Sequence, residues 1–208
     1  MAYGIWKNNK LLATFVVPLT LRSNQPMFVS DTLSLKRALY QRAAQRWELE
    51  TKLAPQGVSA HELMVDLVMN GYSEAIKITT PQNVGAKASL TATSNVVVAT
   101  TTAASNTQVP LSGVSSDQAG KVIPMGTFIN FNNVGKVYML AQNITLSTTG
   151  MTANIYPALR NAVTSGDLVY YKDDVLMNVK YDTDVVRGMV YEDGLLMNNG
   201  TVKFIEAL

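Results

Sequence analysis

The chain has no cysteine among its 208 residues. Disulfides, thiolate metal sites and cysteine nucleophiles are therefore excluded. Histidine is almost as scarce, with His61 the only one. One imidazole without thiolates cannot build the usual transition-metal clusters, which need several nitrogen or sulfur ligands. Charge is thin as well: 15% of residues carry it, against a typical ~25%. A surface this poor in charge suits a protein that meets other protein. The net charge is only +2, so the concentrated basic face of a nucleic-acid binder is missing. The apolar stretch from Leu11 to Leu21 is interrupted by Thr14, Pro18 and Thr20 and is too short to span a bilayer. Residues Met1 to Asn9 lack the basic-then-apolar layout of a signal peptide, so folding in a cytoplasm is expected.

Catalytic signatures are missing too. There is no GxxxxGK[ST], GxGxxG or GxSxG pattern. His61 falls in the first turn of an expected helix, where a surface role is expected. Asp173, Asp174, Asp182, Asp184, Glu192 and Asp193 make the C-terminal third acidic in places. No Asp-x-Asp-x-Asp-Gly loop accompanies them, and turns ordinarily carry Asp for local hydrogen bonding. Lys36, Arg37, Arg42 and Arg46, with Tyr40 and Trp47 interleaved, superficially resemble a base-stacking patch. Trp47, however, belongs to an alternating strand and reads as core. No catalytic, cofactor-binding or metal-binding residue is assigned, and no cofactor is expected.

What is present is mostly strand. Hydrophobic residues make up 47% of the chain, enough for a sizeable core. From Gln45 to Leu53, Trp47, Leu49, Thr51 and Leu53 alternate with Arg46, Glu48, Glu50 and Lys52, which puts the first set inside and the charges outside. Gly4 to Lys7 and Leu11 to Val17 read as a hairpin around Asn8-Asn9, followed by an irregular passage between Pro18 and Pro26. Residues Leu33 to Arg42 fit either a helix stripe or a strand. One helix is expected from Ala60 to Asn70, with Ser59 and Glu62 as a capping box and Gly71 as the stop.

No charged residue lies between Lys87 and Asp117, a tract rich in Thr, Ala, Ser and Val. Branched side chains favour the pleated surface, so short strands joined by exposed loops are expected there rather than a linker. Further strands are expected over Thr127 to Phe131, Lys136 to Gln142, Ile144 to Ser147, Ala153 to Tyr156 and Asp167 to Tyr171, with a helical turn over Pro157 to Val163. Longer strands follow from Val175 to Tyr181, Val185 to Tyr191, Leu195 to Met197 and Thr201 to Ala207. Asp193-Gly194 and Asn199-Gly200 mark turns, and Asn-Gly is a hairpin signal.

Several blocks in order carry a resemblance: Gln45-Arg46-Trp47-Glu48-Leu49 with Leu53-Ala54-Pro55, Gly126-Thr127-Phe128-Ile129-Asn130-Phe131, Gly135-Lys136-Val137-Tyr138-Met139-Leu140, Ile155-Tyr156-Pro157-Ala158-Leu159-Arg160 with Gly166-Asp167-Leu168-Val169, and Phe204-Ile205-Glu206-Ala207-Leu208. In this order the chain resembles the distal tail proteins of long-tailed bacteriophages. The resemblance implies a mainly β protein: a β-barrel- or sandwich-like ring domain with one α-helix, 1–82 and 175–208, and an inserted small OB-like β-barrel domain, 83–174. It implies a hexameric homo-oligomeric ring in the virion at the baseplate, joining tail tube to hub and letting DNA through, with neither a membrane nor a sequence-specific nucleic acid as partner. Two other readings are a tail tube or tube-initiator protein, and a receptor- or carbohydrate-binding module of the tail. For the last, Phe128, Phe131, Tyr138 and Tyr156 are the available aromatics, and strand spacing makes them mostly core candidates.

Overall fold

A computed structural model describes residues 4–7, 10–31, 37–41, 44–54, 62, 76–82, 96–132, 135–172, 174–182, 190–192, 195–198 and 201–207. The fold is mainly β. Six strands close a barrel: β1 (Gly4–Lys7), β2 (Lys10–Asn24), β5 (Arg46–Leu53), β6 (Ile76–Thr79), β15 (Leu176–Tyr181) and β18 (Thr201–Glu206), in the order β1-β2-β5-β18-β15-β6. Closure removes the free edges that would otherwise template aggregation. β3 (Met27–Asp31) and β4 (Arg37–Gln41) form a separate antiparallel pair beyond β2. The ambiguous stretch before Trp47 is thus strand over Arg37–Gln41.

Between β6 and β15 the chain leaves the barrel and builds a second six-stranded sheet. Its strands are β7 (Val97–Val98), β8 (Gln108–Ser112), β10 (Phe128–Phe131), β11 (Val137–Leu140), β13 (Met151–Tyr156) and β14 (Val169–Tyr170), in the order β14-β10-β11-β13-β8-β7. A bridge between Val97 and Leu168 brings the two ends together, and Val98 N–H donates to Asp167 O at 2.9 Å. This second sheet is therefore a nearly closed barrel. β9 (Val122–Ile123) and β12 (Ile144–Thr145) pair beside it, and β16 (Val190–Glu192) pairs with β17 (Leu195–Asn198). The uncharged Thr- and Val-rich tract supplies β7 and β8, with Val96, Val98 and Val109 fully buried. Over its described residues, 96–116, the tract is wall, not linker.

Each barrel has its own apolar core. The first gathers Ile5, Phe15, Leu49, Ile78, Met177, Val179 and Phe204. The second gathers Val98, Leu111, Ile129, Phe131, Tyr138, Leu140 and Ile155. β10 and β11 serve both. Phe128 and Val137 belong to the first core, while Ile129, Phe131, Tyr138 and Leu140 belong to the second. Successive side chains of a strand point to opposite faces. A strand covered on both faces therefore reads as an almost unbroken apolar run, as Phe128–Phe131 and Val137–Leu140 do.

Three sequence expectations need correction. The passage after Pro18 is not irregular: β2 continues to Asn24, absorbing extra residues in a register shift between Val16 and Thr20 opposite β5. The segment after Tyr156 forms no helical turn. Its backbone groups go sideways instead: Leu159 N–H donates to Asn106 O, and Thr102 and Val163 exchange both bonds. The charges of β5 are not all outside in the sense of being solvated, because Glu48 is 8% exposed. The expected turn at Asn199-Gly200 lies outside the described residues; the flanking strands have these partners among the described residues: β17 pairs with β16, whereas β18 pairs with β5 and β15. The expected helix from Ala60 to Asn70 lies outside the described residues except for Glu62, which is helical and accepts Lys10 Nζ at 2.6 Å.

Candidate functional site at the junction of the two barrels

The most elaborate polar chemistry among the described residues lies where the barrels meet. Gly135 ends the connection into β11, so Lys136 enters the junction immediately before Val137. The side chain of Lys136 is 4% exposed and that of Glu206 is fully covered. Lys136 Nζ donates to Glu206 Oε2 at 2.8 Å, to Gln45 O at 2.9 Å and to Gln45 Oε1 at 3.0 Å. All three ammonium hydrogens thus have acceptors. Glu206, at the end of β18, also accepts Trp47 N–H at Oε2 (3.1 Å) and Val137 N–H at Oε1 (2.9 Å). Trp47 Nε1–H in turn donates to Val137 O at 2.9 Å. The network threads β5, β18 and β11, so it couples one barrel to the other. Burial pushes the Lys136 ammonium below its ordinary 10.5; the charge and hydrogen bond of Glu206 pull it back up only in part, and Arg160 pushes it down further.

Trp47 sits over this network. Its ring meets Phe128 edge-on at 5.3 Å and Tyr156 at 6.4 Å, geometries that aromatic quadrupoles favour. A second tether is Gln82, just past β6. Its amide behaves like a short strand: Nε2 donates to Phe128 O at 2.8 Å and Lys172 O at 3.1 Å, while Oε1 accepts Phe128 N–H at 3.0 Å. Asn130 Nδ2 adds a bond to Leu176 O at 3.1 Å.

Beside these tethers a cleft of about 460 Å³ opens between the barrels, lined among others by Lys77, Asn130, Asn132, Tyr170, Asp174 and Asn178. Two cross-strand pairs meet there: Lys77 stands opposite Asn178 on the first barrel, and Asn130 opposite Tyr170 on the second. Gly135 allows the approach, since a Cβ there would fall 2.6 Å from Asn178 Nδ2.

The residues weighed from sequence are placed as follows. His61, Lys36, Arg42, Asp173, Asp184 and Asp193 lie outside the described residues. Arg37 and Tyr40 are on β4 and Glu192 is on β16. Asp182 pairs with Lys203 Nζ at 3.0 Å, and Asp174 Oδ1 accepts Lys172 N–H at 3.3 Å. Among the described residues no three imidazole or carboxylate groups converge into a metal-sized cluster. Trp47 is core, 5% exposed, and Phe128, Phe131 and Tyr138 are buried as strand spacing suggests. Tyr156 is half-buried and its hydroxyl donates to Gln25 Oε1 at 2.8 Å. Sequence reasoning missed Lys136, Glu206, Gln45 and Gln82. The available signal was a single Lys directly before the apolar run Val137–Leu140, and a single Glu within Phe204-Ile205-Glu206-Ala207-Leu208.

On the outer face of the first barrel a second polar group carries a pH prediction. Burial, the largest single influence, pushes the Glu48 carboxyl up; the Asn24 hydrogen bond and the charges of Lys203 and Arg46 outweigh it and leave it below 4.5. A carboxyl depressed on folding contributes stability that is present above its unfolded value and lost as pH falls through its folded value. Urea midpoints of the wild type should therefore fall between roughly pH 5 and pH 3 more steeply than those of Glu48→Gln. Parallel pH curves for the two proteins would refute this.

A closed barrel with a second, nearly closed β-barrel emerging between two of its neighbouring strands defines the class of fold. No protein-family model matches the sequence, and no curated protein matches it.

Proposed function

We propose that the chain is a ring-forming structural protein of a bacteriophage tail tip, of the distal tail kind its sequence resembles. In this reading 1–82 and 175–208 form the ring domain and 83–174 an inserted OB-like domain that points outward. Copies of the chain close head to tail into a hexameric ring in the virion. The ring joins the tail tube to the baseplate hub and leaves a bore for DNA. Its work is assembly, without catalysis or cofactor.

One observation supports this most: a second β-barrel unit interrupts the first between β6 and β15, two strands that are hydrogen-bonded neighbours. The discontinuous layout expected from the resemblance needs such an insertion. Large exposed apolar side chains add to it, with Val17 71% exposed on the first barrel and Met125 61% exposed on the second. Heterologous contacts use different patches on each copy and close into a ring when the rotation allows.

The test is the mass of the full-length protein by light scattering, together with negative-stain images. Closed rings of uniform diameter are the expected result. A strict monomer at high concentration that also fails to ring up when mixed with tail-tube protein would overturn the reading.

A further inference from the structure

We propose that the cleft between the barrels is a binding site for a neutral saccharide. Its volume, about 460 Å³, falls within the roughly 300–1,000 Å³ of small-molecule sites. Among the described residues its wall carries one cation, Lys77, and one carboxylate, Asp174, a balance that suits a neutral ligand. The amides of Asn130, Asn132 and Asn178 and the phenol of Tyr170 add polar lining. Amides and phenols both donate and accept, as sugar hydroxyls do. The Tyr170 ring packs partly against the first core and, half-buried, leaves the remainder of its apolar surface beside these groups.

Asn130 supplies the most specific observation. Its Nδ2 is committed to Leu176 O, while its Oδ1 is shut off from water and meets no donor among the described residues. A covered acceptor without a donor is costly. The terminal torsion of Asn is broad, so a turn of the amide that gives up the bond to Leu176 O presents this oxygen to a hydroxyl entering the cleft. Asn132 and Tyr170 are held at the rim by the 3.3 Å contact between Tyr170 Oη–H and Asn132 Oδ1. This is not the locus that the aromatic residues of the second barrel suggest from sequence, because Phe128, Phe131 and Tyr138 are buried in the cores. The site needs both barrels, since Lys77 and Asn178 come from the first.

The test uses the full chain and ligand-observed saturation-transfer NMR with glucose, galactose, N-acetylglucosamine and the β1,4-linked disaccharide of N-acetylglucosamine as probes. Saturable binding of at least one probe is expected. Tyr170→Leu should weaken it about tenfold, the scale of one lost stacking face and one hydrogen bond. Asn132→Trp fills the exposed rim and should weaken it as much while leaving the melting temperature unchanged. No saturable signal with any probe, or equal binding by wild type and a folded Asn132→Trp, would overturn the proposal. Ring formation is read separately by light scattering, so either idea can fail without the other.

Discussion

Lys136→Ala is expected to cost about 3–5 kcal/mol, the penalty for removing one partner of a buried ion pair. Glu206 would keep its charge in a site from which water is excluded. The two remaining donors, Trp47 N–H and Val137 N–H, solvate the carboxylate only partly. Glu206→Leu should cost at least as much, because it orphans those two backbone N–H groups and leaves the buried ammonium without a counter-charge, on the two Gln45 acceptors alone. Replacing a whole buried pair by apolar residues is often neutral when nothing else depends on it. Here something does, so Lys136→Met with Glu206→Leu should recover only part of the loss, leaving about 1–3 kcal/mol for each abandoned backbone donor. Urea unfolding of the wild type, Lys136→Met, Glu206→Leu and the double variant closes a cycle that isolates the pair. A Lys136→Ala protein within about 1 kcal/mol of wild type would show that the pair is not what holds the junction. Limited proteolysis of the same variants should find new cuts near the barrel junction.

Trp47→Ala is the second large effect, expected at about 3–5 kcal/mol as for other buried aromatic truncations. The indole is 5% exposed, touches both Phe128 and Tyr156, and donates to Val137 O. Deleting it opens a void between the barrels and strips Val137 O of its indole donor. Trp47→Phe separates the contributions, because it keeps most of the packing and loses the indole N–H; it should cost about 1–2 kcal/mol. Circular dichroism at equilibrium in urea measures both. Equal costs for the two variants would mean that the hydrogen bond, not the ring, dominates.

Several strands of the first barrel are legible because apolar residues on the inner face alternate with polar ones on the outer face, even where, as at Glu48, the outer residue is covered. Arg46–Leu53 states its pairing face residue by residue, and Trp47 was readable as core from that alone. The second barrel was harder. Val97–Val98 and Val169–Tyr170 are two residues long, too short for any period to show, and the bridge between Val97 and Leu168 joins positions far apart in sequence. The strand reading of the uncharged tract rested on branched side chains alone. Pro157 to Val163 misled because helical spacing says nothing about a neighbouring segment, Thr102 to Asn106, that takes the same backbone groups. The junction was hidden for a related reason. Lys136 and Glu206 are separated by 70 positions, and nothing local distinguishes a buried lysine from a solvated one. Gln82, an ordinary polar residue after a strand, acts through a backbone 46 positions away.

The point of insertion has a consequence of its own. Thr79 pairs with Leu176, and Thr80 N–H donates to Val175 O at 3.3 Å, so the chain departs and returns at almost the same place. A tight two-residue hairpin spans such a gap. The first barrel could therefore trade its passenger for another without rethreading a single strand. What such a graft must respect is chemical: the incoming piece has to bring a cation for Glu206 and a face for Trp47. Those two residues are the socket, and whatever plugs in must carry the matching prongs.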